Sequence, residues 1–179
     1  NPSSSIMIMK YQGVIGDLMV IPLKAWEILL AFIGSAVFRA LIVAAATLVT
    51  SMFFVDLPFT SIPVILISSL LISLFFSFLG FIVGLWASEF DKQAFILNFV
   101  LMPLTFLGGV FFPISSLSPT LQTISQFNPI VHMANLMRYG FTGLLEVPLY
   151  LSFLVVTIPT IIIGIACYIL LHRGWHLQT

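Results

Sequence analysis

The sequence predicts an all-α membrane protein, and three features of its 179 residues support that fold class. Hydrophobic residues make up 60% of the chain and charged residues only 7%, where soluble domains carry roughly 25%. Water cannot solvate a surface with so few charges, so lipid must cover most of it. Four apolar stretches reach the roughly 20 residues that a membrane-spanning helix needs.

The predicted membrane-spanning helices cover most of the chain after residue 27. Their ranges are 28–54, 62–87, 94–112 and 148–171. Only Arg39 interrupts the first, and prolines or charged residues separate each range from the next. We find no internal repeat, so residues 1–179 are expected to form a single membrane domain.

Basic residues collect on one predicted side of the membrane. An even number of spans returns the chain to the side where it began, and that side holds Lys10, Lys24, Lys92 and Arg173. The opposite side holds only Arg138. The positive-inside rule therefore predicts that both ends of the chain are cytoplasmic.

Residues 113–147 are too long for a tight turn and almost uncharged. Ser118-Pro119 and Asn128-Pro129 each pair an N-cap residue with a proline at the first helical position. The pattern predicts two short helices, arranged as a re-entrant hairpin at the outer mouth. An ordinary loop that lies on the lipid surface is the alternative.

The N-terminal segment, residues 1–27, is apolar but interrupted by glycines, Asp17 and Pro22. These breaks make a membrane span implausible, so we expect a cytoplasmic helix here. The chain opens at Asn1 and no signal peptide pattern precedes the first span, which suggests that an N-terminal portion is missing.

Arg39 lies deep inside the first predicted span. A central arginine costs about 2.5–3.5 kcal/mol on insertion scales, so such residues usually face a cavity or a partner. Three roles stay open for it: a contact in a transport path, a buried tie to another helix, or snorkelling toward an interface.

Small residues recur at helical spacing on the first two spans. They are Ala36, Ala40 and Ala44 on the first, and Ser69, Ser73, Ser77, Gly80 and Gly84 on the second. Such stripes let two helix backbones approach closely, so packing is the favoured interpretation and a polar lining for a substrate is the alternative.

The third predicted span carries polar atoms and helix breakers. They are Asn98, Pro103, Thr105, Gly108 and Gly109. Membrane helices tolerate proline and glycine where neighbours satisfy the freed backbone groups, and kinked helices often line paths that open and close.

Enzyme, metal and nucleic-acid functions find little support. HExxH and GxSG are absent, and no GxxxxGK[ST] motif occurs, so the chain is not expected to hydrolyse ATP itself. His132, His172 and His176 have no spacing that suits a metal. The net charge of zero argues against nucleic acid as a partner.

Several sequence runs follow one another in a characteristic order. PLTFLGGVFFP at 103–113 is followed by LSP at 117–119, NPI at 128–130 and RYG at 138–140, and KYQGVIGDL at 10–18 lies upstream. Together they resemble ABC-2 type permeases, the transmembrane subunits of ABC exporters, over nearly the whole chain. The run at 10–18 is similar to the cytoplasmic loop that precedes the third span of that family.

The resemblance implies a six-span permease in the inner (plasma) membrane, of which an N-terminal elbow helix and two spans would precede this segment. Two permease copies, as a homodimer or a heterodimer, would pair with two ABC ATPase subunits. ATP and Mg would bind to those ATPases, with no cofactor in this chain. The exported substrate would be a drug, a lipid-linked molecule or a polysaccharide.

The resemblance also assigns roles to particular positions. Residues 9–19 would form a coupling helix that docks on the ATPase, with Lys10, Gly13, Gly16, Asp17 and Leu18 as its contact residues. The transport path and its gate would involve Arg39, Asn98, Pro103, Thr105, Gly108, Gly109 and Pro113. A self-contained channel or secondary transporter remains the alternative, although such proteins tend to carry acidic residues inside their spans.

Overall fold

The structure, a computed structural model, describes residues 2–14, 23–87, 89–111 and 118–173. All the regular elements in these ranges are helical. They are α1 (Pro2–Tyr11), α2 (Ala25–Ser51), α3 (Ile62–Trp86), α4 (Phe90–Phe95), a π-helix (Ile96–Leu101), α5 (Met102–Phe106), α6 (Pro119–Ser125), α7 (Pro129–Thr142) and α8 (Leu149–His172). The predicted all-α membrane fold is confirmed.

In the described part of the chain, three helices are long and apolar enough to cross a membrane: α2, α3 and α8. α3 and α8 lie within one residue of the predicted ranges 62–87 and 148–171. α2 begins and ends three residues earlier than the predicted 28–54. Long apolar runs between charged or proline-containing breaks thus locate these helices closely.

The third predicted span, 94–112, is not one regular helix. α4, the π-helix and α5 follow each other without a gap from Phe90 to Phe106, and the chain then turns. Pro103 has no N–H, so it cannot donate a hydrogen bond to the Phe99 carbonyl one turn earlier. The turn before it is a wider π turn, in which the Met102 N–H donates to the Leu97 carbonyl. That this segment crosses the membrane stays a prediction.

α1 lies earlier in the chain than the expected coupling helix. It packs against α3 and ends within the predicted range 9–19. Gly13 adopts a φ of 70° and its N–H donates to the Lys10 carbonyl at 3.1 Å, while Val14 N–H donates to the Met9 carbonyl at 3.1 Å. This pair of bonds is a Schellman motif, which terminates a helix at a left-handed glycine.

The remaining residues predicted for the coupling helix, Gly16, Asp17 and Leu18, lie outside the described residues. The structure does show α1, the helix that precedes them. The expectation of one continuous helix over 9–19 is wrong, because the left-handed glycine interrupts it.

Two buried apolar clusters hold the bundle together. One joins α1, α2, α3 and α8 at the end of the bundle where α2 begins and where α3 and α8 end. Its buried members are Ile6, Ile33, Val37, Phe81, Leu85, Cys167 and Leu171. We call this the basic end, because Lys10, Lys24, Lys92 and Arg173 lie there.

The second cluster joins α7 to α3 and α8, and consists of Phe75, Met133, Leu136 and Val156. Gly140, near the end of α7, contacts Ile65 near the start of α3. Ile65 and Phe75 are ten residues apart, about 15 Å along a helix, so α7 runs beside the half of α3 that lies away from the basic end. That α6 and α7 form a re-entrant hairpin stays a prediction. Both α6 and α7 begin at the predicted prolines.

Candidate functional site

An open cavity of about 550 Å³ lies between α2, α3 and the π-helix. The small-residue stripes of both spans border it, through Ala36, Ala40 and Ala44 on α2 and Ser73, Ser77 and Gly80 on α3. Ile96, Leu97 and Leu101 of the π-helix form another wall, and Pro2 and Ser3 border it toward the basic end. The small side chains therefore leave a space here where close packing was the favoured prediction.

Close packing does occur at the two ends of the α3 stripe. A Cβ atom on Gly84 would lie 2.8 Å from Ser3 Cα, so α1 approaches α3 as closely as a glycine permits. At the other end, Ser69 Oγ donates to Met137 Sδ at 3.9 Å. In the middle of the stripe, Ser73, Ser77 and Gly80 instead line the cavity, which was the alternative interpretation.

Arg39 borders this cavity from α2. It lies fourteen residues into a helix of 27 residues, about 21 Å from its start and close to its centre. Its side chain is exposed and makes no ion pair or hydrogen bond with the described residues. Within those residues Arg39 is thus not a tie between helices, and it is a cationic residue in the lining of a largely apolar cavity.

The other predicted path residues lie apart from the cavity. Asn98 is in the π-helix, exposed and without a hydrogen bond to the described residues, and it does not line the cavity. Thr105 Oγ1 donates to the Leu101 carbonyl at 2.7 Å, within its own helix. Pro113 lies outside the described residues. The cavity therefore brings Arg39 together with the π-helix residues Ile96, Leu97 and Leu101, but not with the Asn98 or Thr105 side chains.

The turn after α5 contacts the start of α7. A Cβ atom on Gly108 would lie 2.6 Å from Ile130 Cγ2, and Gly109 has a φ of 67°. Arg138 donates from Nη2 to the Gly109 carbonyl at 2.8 Å and pairs through Nη1 with the Glu146 carboxylate. Gly108 and Gly109 thus permit a close approach and a left-handed turn, which supply the physical reason for glycine at both positions.

Asn128 connects α7 to α5 through both ends of its amide. Its Oδ1 accepts the Ile130 N–H at 3.0 Å, the N-cap bond that its position predicted. Its Nδ2 donates to the Leu104 carbonyl at 2.6 Å. The amide thereby satisfies one unpaired donor at the start of α7 and one carbonyl near the end of α5.

A buried polar cluster on α7, which was not among the predicted site residues, holds the start of α8. Asn135 Nδ2 donates to Ser152 Oγ and to the Val147 carbonyl, both at 2.9 Å. The ring nitrogens of His132 lie 3.2 Å from Ser152 Oγ and 2.9 Å from the Gln126 carbonyl oxygen. His132 and Asn135 are each 2% exposed and Ser152 is fully buried, so the Ser–His contact ties helices and offers no access to a substrate.

Spacing alone contains a signal for this cluster. Asn128, His132 and Asn135 are separated by four and three residues, which places them on one face of a helix. In so apolar a chain, a polar face on a short helix indicates internal hydrogen bonds.

Lys10, predicted as a coupling residue, binds the end of α3. Its Nζ donates to the carbonyls of Leu85 at 2.6 Å and Ala87 at 3.2 Å. Carbonyls at a helix C-terminus lack partners within the helix and attract cations. Partial burial there lowers the pKa of Lys10 from its ordinary value of 10.5.

α1 also contacts the start of the segment that contains the π-helix. Gln93 Nε2 donates to Ser4 Oγ at 3.2 Å, and the rings of Tyr11 and Phe90 stack with centroids 5.1 Å apart. Residues before and at the start of the predicted coupling segment are therefore bound to both α3 and α4.

The described architecture is that of a multi-pass membrane protein, and comparison with known proteins identifies its class. The chain belongs to the ABC-2 type transporter family, which matches residues 1–142. Relatives named as transport permeases match the chain, and no solved structure does.

Three relatives illustrate the range of similarity. The inner membrane transport permease YadH of Escherichia coli K12 is 35% identical over all 179 residues, which cover 70% of that protein. The probable multidrug ABC transporter permease YbhR of the same organism is 32% identical over 142 residues, 76% of this chain and 37% of that protein. Nodulation protein J of Neorhizobium galegae is 34% identical over 73 residues, 41% of this chain and 28% of that protein.

Proposed function

We propose that this chain is most of the permease subunit of an ATP-driven ABC exporter, with both ends on the cytoplasmic side of the inner (plasma) membrane. The observation that carries the proposal is membership of the ABC-2 type transporter family along residues 1–142. The location is supported by the relative YadH, named an inner membrane transport permease.

The energy source is a separate ABC ATPase subunit that binds ATP and Mg. The absence of a P-loop motif from the sequence supports this division of labour. The ATPase docks at the basic end, on the segment that includes Lys10 and Gly13 and continues through Asp17. Contacts of α1 with α3 and α4 supply a route by which movement of the docked segment reaches the spans.

A second permease copy completes the transporter, and residues 90–106 form its contact surface. Apolar side chains on this segment are largely uncovered by the described residues, Phe99 most of all at 70% exposed. The same segment carries the exposed amide of Asn98, which a neighbouring copy or a substrate can satisfy.

The substrate path includes the cavity beside Arg39, and the mixture of serines, aliphatic residues and Phe76 around it suits an amphipathic molecule. The turn at Gly108 and Gly109, with α6 and α7, covers the opposite end of the path. Asn128 and Arg138 join α7 to α5 and to the turn after it, and Asn135 joins α7 to the start of α8 through Ser152.

The decisive experiment is purification of the tagged protein, as the cell makes it, in mild detergent. We expect an ATPase subunit to co-purify in equal amount. In reconstituted vesicles, transport of an amphipathic dye should stop when ATP is depleted. A preparation without an ATPase that moves solutes unaided, or along a proton gradient, would instead identify a self-contained channel or secondary transporter.

A further inference from the structure

Arg39 has no acidic partner among the described residues, although it lies near the centre of a span. The chain has six acidic residues, and none lies in α3, in α8 or beyond the first turn of α2. The acid nearest along α2, Glu27, is twelve residues away, about 18 Å along the helix. Its carboxylate accepts the Lys24 backbone N–H at 2.8 Å.

Polar groups near Arg39 do not neutralise its charge. Ser73, across the cavity, donates its hydroxyl to the Ser69 carbonyl of its own helix at 2.7 Å. The guanidinium has five N–H donors and is always charged, so an apolar cavity is an expensive place for it without an anion. No described residue pairs with Arg39, so an anion that binds it has to come from outside the described residues.

The shape of the cavity indicates what kind of anion fits. Its volume of about 550 Å³ falls within the range of small-molecule sites. Beyond Arg39 and the serines, its walls are aliphatic or aromatic, including Ile72, Phe76 and Leu97. A small inorganic anion would leave those walls unfilled, whereas a molecule with an apolar chain would cover them.

We infer that the cavity binds an amphipathic anion, with a phosphate or carboxylate on the Arg39 guanidinium and an apolar chain along Ile72, Phe76 and the π-helix. Arginine suits this role because its planar fork binds both oxygens of such a group. The inference rests on the proposed function only where it makes the bound molecule a substrate. A lipid headgroup that resides in the cavity has the same chemistry.

The test uses the complete permease, with whatever subunit co-purifies, in a neutral maltoside detergent. The probes are dansyl-undecanoic acid and its methyl ester, which share a fluorophore and chain but differ in charge. Wild-type protein should bind the acid more tightly than the ester. Arg39→Gln should weaken binding of the acid by about tenfold or more, as expected for a lost charge-assisted contact, and leave the ester unchanged.

Two further variants separate the cavity from general effects. Arg173→Gln removes a cation from the end of α8, outside the cavity, and should leave both affinities unchanged. Ala40→Phe adds a ring to the cavity wall and should weaken the acid and the ester alike. Equal binding of the acid and the ester by the wild type, or an unchanged acid affinity in Arg39→Gln, would overturn the inference. The wild-type comparison decides the matter even if a variant fails to assemble.

Failure of this inference and failure of the proposed function give different results. A missing ATPase, with the preference for the acid intact, would contradict only the proposed function. ATP-dependent movement of the acid probe in phosphatidylcholine vesicles would make the anion a substrate. Binding without movement, with phosphatidylglycerol retained in native mass spectra, would make it a lipid headgroup.

Discussion

Gly34 and Gly84 are both helical glycines, but their neighbours give them different constraints. A Cβ atom on Gly84 would lie 2.8 Å from Ser3 Cα and 3.1 Å from the Ser3 carbonyl oxygen, both backbone atoms of α1. A Cβ atom on Gly34 would meet nothing within 4 Å. Residue type alone does not distinguish them, because the difference comes from the chain that packs alongside.

Gly84→Ala should lower the free energy of unfolding by about 1–3 kcal/mol, because α1 must move away from α3. Gly34→Ala should be neutral or stabilise by up to about 1 kcal/mol, since alanine favours the helix and meets no obstacle. The labelling rate of the buried Cys167 thiol by a maleimide dye during heating reports both melting temperatures. Identical temperatures for the two variants would contradict the close approach of α1 to α3.

The sequence predicted part of the environment of Arg39. Its depth in an apolar run left three roles open, namely a contact in a transport path, a tie to another helix and snorkelling toward an interface, and the structure shows a cavity beside it. The sequence could not decide between these outcomes, because stripes of alanine and serine suit close packing as well as lining. The distance between α2 and α3 depends on α1 and the π-helix, and no local pattern specifies that distance.

Helix ends are the elements that local sequence predicts best. Asn128-Pro129 and Ser118-Pro119 locate the starts of α7 and α6. The first N–H groups of a helix have no partner within it, and proline suits the first position because it has no N–H. The two caps nevertheless differ in the structure. Asn128 forms the side-chain cap bond and also binds the Leu104 carbonyl, whereas the Ser118 side chain forms no cap bond.

This difference yields a matched pair of variants. Asn128→Ala should destabilise the protein by about 1–3 kcal/mol, because it removes the cap of α7 and leaves the Leu104 carbonyl unpaired. Ser118→Ala should change stability by less than about 0.5 kcal/mol, as is usual for an exposed position without such contacts. The same Cys167 labelling measures both. A larger effect at Ser118 would show that α6, and not α7, holds this end of the bundle.

The interior of an element is harder to predict than its start. Residues 94–112 have the composition of one span, but Pro103 removes a hydrogen bond and the helix widens into a π turn before it. Gly13 similarly ends α1 inside the range expected for a coupling helix. Both proline and glycine were visible in the sequence, but composition does not determine whether a helix bends, widens or ends at such a residue.

At the scale of the whole molecule, α3 is well covered by other described helices, whereas residues 90–106 are not. α3 packs against α1, α2, α7 and α8 and forms the centre. Residues 90–106 are held mainly at their ends, through Gln93 at one and Leu104 at the other. Between these ties, the apolar side chains of Phe95, Phe99 and Met102 are exposed.

The proposed second copy can be located by cysteine cross-linking in the membrane. In a Cys167→Ala background, Phe99→Cys places a thiol at the most exposed large apolar residue of this segment, and Ile162→Cys places one on the exposed face of α8, at 60% exposure. We expect a short bis-maleimide to join two copies through Cys at position 99 and not through position 162. The reason is that α8 already packs against α2, α3 and α7, whereas residues 90–106 have few contacts of their own.

Random collision is the main competing source of a cross-link, because both positions are apolar and accessible. Dilution of the permease with a large excess of lipid before cross-linking distinguishes the two, since collision products fall with dilution and those of a stable dimer do not. A dimer that persists only through position 162 would move the contact to α8. Residues 90–106 would then face lipid or another span, and the exposed Asn98 amide would need a partner other than the second copy.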